Sequence, residues 1–253
     1  MLKALRTQLN VVAALTIRDM QRARKTLKYG YAWSFLQIAV TIVFFRLIMS
    51  ATGLAPAGMG ATTFLIQGVF ITLTFLATLS ASSKTSSRGL CILPRVTPLD
   101  LFLAKGFFVF INYSILFWAF AIPAAIYDGD WPPENPLGVQ AVLIANWLLG
   151  LGLGYAINTV ASFFPAILEF RKFFVKPMRY ISGMFFVIST FPTWVWPYLT
   201  WNPVLHCSEL MRSYWFTVYT TPVGSLPFVL MCIAGLTLLG LSLEHYMRRV
   251  VLE

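Results

Sequence analysis

Two stretches of this chain, Thr62 to Ala81 and Leu137 to Phe164, carry no charged side chain at all. Each is as long as the roughly 20 apolar residues that cross a bilayer as a helix. A water-soluble fold of 253 residues has no room to bury two such runs together with the apolar surface around them. Composition agrees: 58% of the residues are hydrophobic and 11% are charged, whereas soluble domains carry about 25% charged residues. The whole chain, 1–253, therefore reads as a single membrane domain.

Four further runs complete a set of six expected spans. They are Trp33 to about Ala51 (interrupted by Arg46), Leu101 to about Tyr127, Val175 to Phe191, and Val223 to Leu243. The expected class is all-α, polytopic, with residues 1–32 as a leader, 33–247 as the membrane domain and 248–253 as a tail. The segment between the last two spans, 192–222, resists the pattern. It carries Trp194, Trp196, Trp201 and Trp215, is broken by Pro192, Pro197 and Pro203, and holds Glu209 and Arg212. Broken backbone survives at membrane depth only where protein or a wet cavity satisfies it. A re-entrant pair of half-helices and a folded external loop both fit.

Basic residues assign the sides. Of the nineteen, all but Arg46 and Arg212 fall before the first expected span, between the second and third or just inside the third (Lys105), between the fourth and fifth or at the entry to the fifth (Lys176, Arg179), or after the sixth. The opposite side holds Asp128, Asp130 and Glu134. Both termini are thus expected in the cytoplasm, in a cytoplasmic (bacterial inner) membrane. The basic leader is too long for a cleavable signal peptide. Its Leu5, Leu9, Val12 and Leu15 recur at helical spacing, which fits an amphipathic helix at the lipid interface or against a partner. The net charge of +10 arises from these clusters. It leaves no basic, aromatic-interleaved surface for nucleic acid.

No Gly-x-x-x-x-Gly-Lys-Ser/Thr loop occurs, so the chain has no P-loop cradle for a nucleoside triphosphate. His206 and His245 are predicted on opposite sides, and Cys91, Cys207 and Cys232 form no metal-binding pattern. No catalytic, metal or cofactor residue is assigned. Asp128 and Asp130 sit in a turn-rich loop and read as a solvated acidic patch. Ionisable residues inside spans are costly and often functional. Arg46 is either a snorkelled anchor or a cation facing an anionic substrate. Glu209 and Arg212, at i and i+3, form an expected ion pair on one helical face. Gly150 and Gly154 fit small-xxx-small packing. Phe44, Phe45, Tyr180, Phe185 and Phe186 are candidates for stacking on sugar rings along a conduit, against the alternative of a lipid-facing belt.

Several patterns together resemble the ABC-2 type permeases that export polysaccharides, most closely the capsule-polysaccharide permease subunits of Gram-negative bacteria. They are Ile17-Arg18-Asp19 with Lys28-Tyr29-Gly30-Tyr31-Ala32-Trp33, Phe64-Leu65-Ile66-Gln67-Gly68, and Pro94-Arg95-Val96-Thr97-Pro98-Leu99-Asp100. Further along come Phe164-Pro165, Lys176-Pro177, Tyr180-Ile181-Ser182-Gly183, Trp201-Asn202-Pro203-Val204-Leu205-His206 and Glu209-Leu210-Met211-Arg212. The resemblance implies a homodimer above two copies of a separate ATP-binding subunit, which would hold the ATP and Mg. It implies an interface helix around Arg18, Asp19, Arg22 and Arg24, and a coupling loop containing Ser82, Lys84, Arg88, Arg95 and Asp100. Trp194, Trp196, Trp201, Glu209 and Arg212 would belong to gate helices. The implied cargo is an acidic, lipid-linked polysaccharide, passed to a periplasmic copolymerase-like partner and an outer-membrane exporter. Export of another glycan (O-antigen, teichoic acid) or of a small hydrophobic compound is the alternative. An intramembrane glycolipid transferase is the reading from a different class.

Overall fold

The computed structural model describes residues 2–26, 30–52, 58–83, 98–161, 163–164 and 166–252. Among them there are helices and turns but no strand: α1 (Leu2–Thr26), α2 (Gly30–Thr52), α3 (Ala61–Ser83), α4 (Pro98–Asp128), α5 (Pro136–Ala161), α6 (Ile167–Ile181), α7 (Trp196–Leu199), α8 (Pro203–Trp215) and α9 (Leu226–Leu252). Stretches within α3, α4, α5 and α9 are long and apolar enough to cross a membrane. A shorter apolar stretch, Phe35–Ala51, lies within α2.

Helices α3 and α5 form the centre. Of their most apolar windows, 78% and 61% of residues are buried, against 22% for α4 and 11% for α9. The outer helices thus turn their apolar surface to the surroundings, which is stable only in lipid. Gly150 allows α5 close to α3, since a Cβ there would meet Thr78 Cβ at 3.0 Å and the Phe75 carbonyl at 3.1 Å. Gly154 is also buried in α5. Asn146 Nδ2 donates to the Ile71 carbonyl at 2.8 Å, fastening the same pair.

Helices α3, α4 and α5 run alternately up and down, and α9 runs parallel to α5, with Gly152 beside Leu236 and Gly240 beside Ala156. At one end, Asp128 at the end of α4 and Asp130 just beyond it meet the start of α3. At the other, Phe102 of α4 packs on Tyr155 of α5, and the Tyr155 hydroxyl donates to Glu244 of α9. Helix α1 lies against this second end, with Val12 and Leu15 buried on Leu101 and Ala104 of α4. The Thr16 hydroxyl donates to the Val12 carbonyl at 2.8 Å. The expected leader helix is therefore present and rests on the chain's own α4. Nothing further is described for the side chains of Leu5 and Leu9.

The fifth expected span, Val175 to Phe191, is not one helix. Helix α6 begins earlier and stops at Ile181. Gly183 then takes φ +74, a conformation that glycine adopts at little cost. The chain continues without helix to a short 3-10 turn at Ile188–Thr190. The break expected after Pro192 starts at Ser182 instead. Beyond it, 3-10 turn Thr193–Val195 and α7 are short, whereas α8 is a regular helix packed among α3, α5 and α9. Its N-cap is Asn202, whose Oδ1 accepts from the Val204 N–H at 3.0 Å, with Pro203 at the first helical position.

Candidate functional site

The candidate site is organised by the two charges of α8. Glu209 and Arg212 are both fully buried, with Arg212 Nη1 3.7 Å from Glu209 Oε1. Their main partners lie in the irregular segment after α6. Arg212 donates through Nη1 to the Phe186 carbonyl and through Nη2 to the Gly183 carbonyl, each at 2.5 Å. Glu209 Oε1 accepts from the Ile188 N–H at 3.0 Å, and Oε2 accepts from the Tyr219 and Thr221 hydroxyls. The Arg212 guanidinium carbon also lies 4.0 Å from the centre of the Phe64 ring, a cation–π contact. The expected ion pair is present, and its work is to satisfy backbone that no helix satisfies.

Gly68 on α3 completes the support. A Cβ there would come 2.2 Å from the Met184 carbonyl oxygen, so only glycine lets residues 183–185 lie against α3. The Thr72 and Ser182 hydroxyls meet at 3.0 Å beside it.

The segment held in this way forms one wall of a groove of about 180 Å³. Gln37, Thr41 and Phe45 of α2, Tyr113 of α4, and Arg179, Tyr180 and Phe185 line it. The Phe45 and Phe185 ring centres are 4.2 Å apart, and Tyr180 stands 6.5 Å from Phe185. Aromatic faces beside a guanidinium, an amide and hydroxyls suit a sugar ring carrying an acidic group. Three of the five aromatic candidates are thus gathered in one place. Phe44 touches Phe45 edge-on but faces outward. Phe186 turns away to pack on Phe191, at 5.0 Å.

Sequence reasoning passed over Gln37, Thr41, Tyr113 and Arg179 as groove residues. A signal existed for part of this set. Gln37, Thr41 and Phe45 recur every four residues and so share a face of α2. Tyr113 had no such signal.

Arg46 lies outside the groove and lines a separate open cleft with Ser50 and Tyr127. Its Nε donates to Thr62 Oγ1 at 3.2 Å, and that hydroxyl donates to Asp128 Oδ1 at 3.0 Å. Asp128 Oδ2 accepts from the Thr63 N–H at 2.8 Å. Asp130 Oδ2 accepts from the Gly60 N–H at 2.9 Å. The acidic pair is therefore no free solvated patch: it caps the N-terminus of α3, where N–H groups are unpaired and the helix dipole is positive. Burial raises the Asp130 carboxyl above its ordinary range; the Gly60 N–H opposes this and the Asp128 charge adds to it.

At the opposite end, Arg18 and Asp19 of α1 pair at 2.9 Å. Arg22 and Arg24 lie on the same helix. Ser82 is in the last turn of α3, and Asp100 is buried in the first turn of α4. Lys84, Arg88 and Arg95 lie outside the described residues. In the region expected to form gates, Trp194 and Trp201 are exposed, while Trp196 Nε1 donates to the Phe191 carbonyl at 3.0 Å.

A central helical pair, outer helices with apolar surface turned outward and a backbone break stapled by buried charges describe a polytopic membrane protein. The sequence model of the ABC-2 type transporters matches residues 10–216. The chain belongs to the ABC-2 type transporter family. Relatives of this ABC-2 protein include the polysialic acid transport protein KpsM of Escherichia coli, 24% identical over 238 residues, covering 92% of this chain and 91% of the relative. The capsule polysaccharide export inner-membrane protein CtrC of Neisseria meningitidis serogroup A is 25% identical over 252 residues, covering 95% and 92%.

Proposed function

We propose that this ABC-2 chain is the membrane-spanning subunit of an ATP-driven exporter of lipid-linked capsular polysaccharide across the inner membrane. One observation carries the reading: similarity over more than nine-tenths of the chain to proteins named for polysialic acid transport and capsule polysaccharide export. The groove supports it, since Phe45, Tyr180 and Phe185 offer stacking faces and Arg179 a cation for an acidic glycan.

The chain works as a homodimer with two copies of an ATP-binding subunit, which carry ATP and Mg and the hydrolytic chemistry. This subunit itself is no enzyme. Helix α1, resting on the start of α4, is the interface helix, with Arg18, Asp19, Arg22 and Arg24 at the docking surface. The loop from Ser82 to Asp100 receives the movement of the ATPase. Residues 182–215 form the gate on the periplasmic side, re-entrant in the membrane. Six passes with both termini in the cytoplasm suit the distribution of basic residues. A periplasmic copolymerase-like protein and an outer-membrane exporter take the glycan onward.

The test is export by the assembled transporter in cells lacking the native permease. Phe185→Ala and Arg179→Ala are expected to lower surface polysaccharide at least about tenfold, the scale of losing one stacking or charged contact, with normal membrane insertion and ATPase co-purification. Arg95→Ala or Asp100→Ala is expected to leave ATP hydrolysis running without export. Full export in all four variants, or a purified chain that finds no ATP-binding partner, overturns the reading.

A further inference from the structure

The imidazole of His206, on the first turn of α8, joins three segments of the chain. Its Nε2 lies 2.7 Å from the carbonyl oxygen of Thr200, the residue after α7. Its Nδ1 accepts from the Ser225 N–H at 3.2 Å. A carbonyl oxygen only accepts and a backbone N–H only donates, so the ring is neutral and carries its proton on Nε2. It stacks on Phe228, with ring centres 4.7 Å apart, and is buried. Ser225 in turn starts α9. Its hydroxyl accepts from the Phe228 N–H at 3.4 Å, the bond of an N-cap. His206 therefore holds the residue that caps α9. The turn leading to that cap is tied to α8 a second time, through Glu209, which accepts from the Tyr219 and Thr221 hydroxyls. Thr221 Oγ1 accepts from the Gly224 N–H at 2.9 Å.

We propose that His206 is a proton-sensitive latch between α8 and the start of α9, closed by the neutral ring and opened by the imidazolium. A proton on Nδ1 sets one donor against another, since the Ser225 N–H already points there. The new charge also falls beside the first turns of both α8 and α9, where the helix dipole is positive. Nothing around the ring offsets it. The titratable groups on the surrounding elements are Cys207, Glu209 and Arg212 of α8, Tyr198 of α7, Tyr219 of the turn and Cys232 of α9. Helices α3 and α5, which also pack on α8, carry no charged side chain. Glu209, the one acid among these groups, spends its oxygens on Ile188, Tyr219, Thr221 and the pairing with Arg212. Histidine ordinarily changes charge between about pH 5 and 8, so acidification is the trigger. Opening frees the turn 221–225 and one side of α8, which belongs to the proposed gate. The latch stands on this geometry and does not depend on the cargo.

Solid-state NMR of the full chain in lipid, with isotope-labelled histidine, reads the ring directly. His245 is exposed, and His245→Gln leaves His206 as the single histidine. At about pH 8 the ring is expected to show a protonated Nε2 and a bare Nδ1, and at about pH 5 an imidazolium. A charged ring or a protonated Nδ1 at the higher pH overturns the proposal, as does a ring still neutral at the lower one. Hydrogen exchange, corrected for the intrinsic effect of pH on amide exchange, reads the consequence. Amides 221–228 are expected to exchange about tenfold faster at the lower pH, the scale of one lost buried hydrogen bond, while α3 and α5 stay protected. His206→Gln has an acceptor for Ser225 and a donor for Thr200 but does not titrate, and is expected to keep exchange slow at both pH values. His206→Phe keeps the stack on Phe228 and loses both bonds, and is expected to exchange fast at both. A wild type that exchanges alike at the two pH values refutes the latch. So does a pH response that survives in either variant. Where a variant does not fold, the ring spectrum and the wild-type profile still decide. Neither measurement uses glycan or the ATPase, so failure here and failure of the export reading are separate results.

Discussion

Arg212 and Glu209 hold the irregular backbone after α6, and neither side chain reaches the surface. Removing one leaves the other buried without its counter-charge, which costs about 3–5 kcal/mol. Arg212→Ala also strips the Gly183 and Phe186 carbonyls of their donor. A loss of that size is expected, read as a lower unfolding temperature in detergent. Gln67 makes the opposite case. It is fully buried, and neither its amide nitrogen nor its amide oxygen has a hydrogen-bond partner among the described residues. An unsatisfied buried polar group costs about 1–3 kcal/mol. Gln67→Leu, similar in bulk, is therefore expected to raise stability by that order in the same assay. The i, i+3 spacing of Glu209 and Arg212 was legible as a pairing. Their carbonyl and N–H partners, more than twenty residues upstream, were not.

Helix α3 depends on a cap that comes from the end of α4 and the turn after it. The raised Asp130 carboxyl means that the folded chain binds more protons than the unfolded one between the ordinary value of 3.8 and the shifted value. Stability from this group accordingly falls as pH rises through that window. Asp130→Asn, which keeps an acceptor for the Gly60 N–H, is expected to flatten this part of the stability profile. Melting temperatures collected across the acidic range would reveal it. Among the described side chains, Val12 and Leu15 are the buried apolar ones that hold helix α1 to α4. Leu15→Asp, placing a charge against Leu101 and Ala104, is expected to release α1 and expose it to protease while the central helices stay protected. The periodicity of α1 was readable from its residues. Which surface it covers was not, since lipid, a partner and α4 all accept an apolar stripe. The end of α6 was misread for a related reason. Residues 184–191 are apolar enough to continue a helix, and hydropathy does not register a carbonyl taken by an arginine on another helix.

The bundle as a whole has a buried centre, an aspartate-capped end and dissimilar clefts on its flanks. The aromatic groove is lined from α2, α4 and the stapled segment, so its shape depends on the contacts made by Arg212, Glu209 and Gly68. The conservative change Arg212→Lys cannot reproduce the two-pronged donation to Gly183 and Phe186. It is expected to reduce polysaccharide export at least about tenfold in the assembled transporter, with co-purification of the ATPase unchanged. Surface glycan, set against the amount of complex recovered, is the measurement.

Uncharged runs of this length commit a chain to lipid and to helices, because a bilayer offers no other partner for the backbone. That much, with the clustering of basic residues and the lack of a nucleotide loop, was present in the order of the residues. The place where the chain leaves the helical path, the gathering of Phe45, Tyr113, Tyr180 and Phe185, and the capping role of the two aspartates arose only on packing. Each depends on contacts between groups far apart along the polypeptide, whose energies appear once the helices are brought side by side.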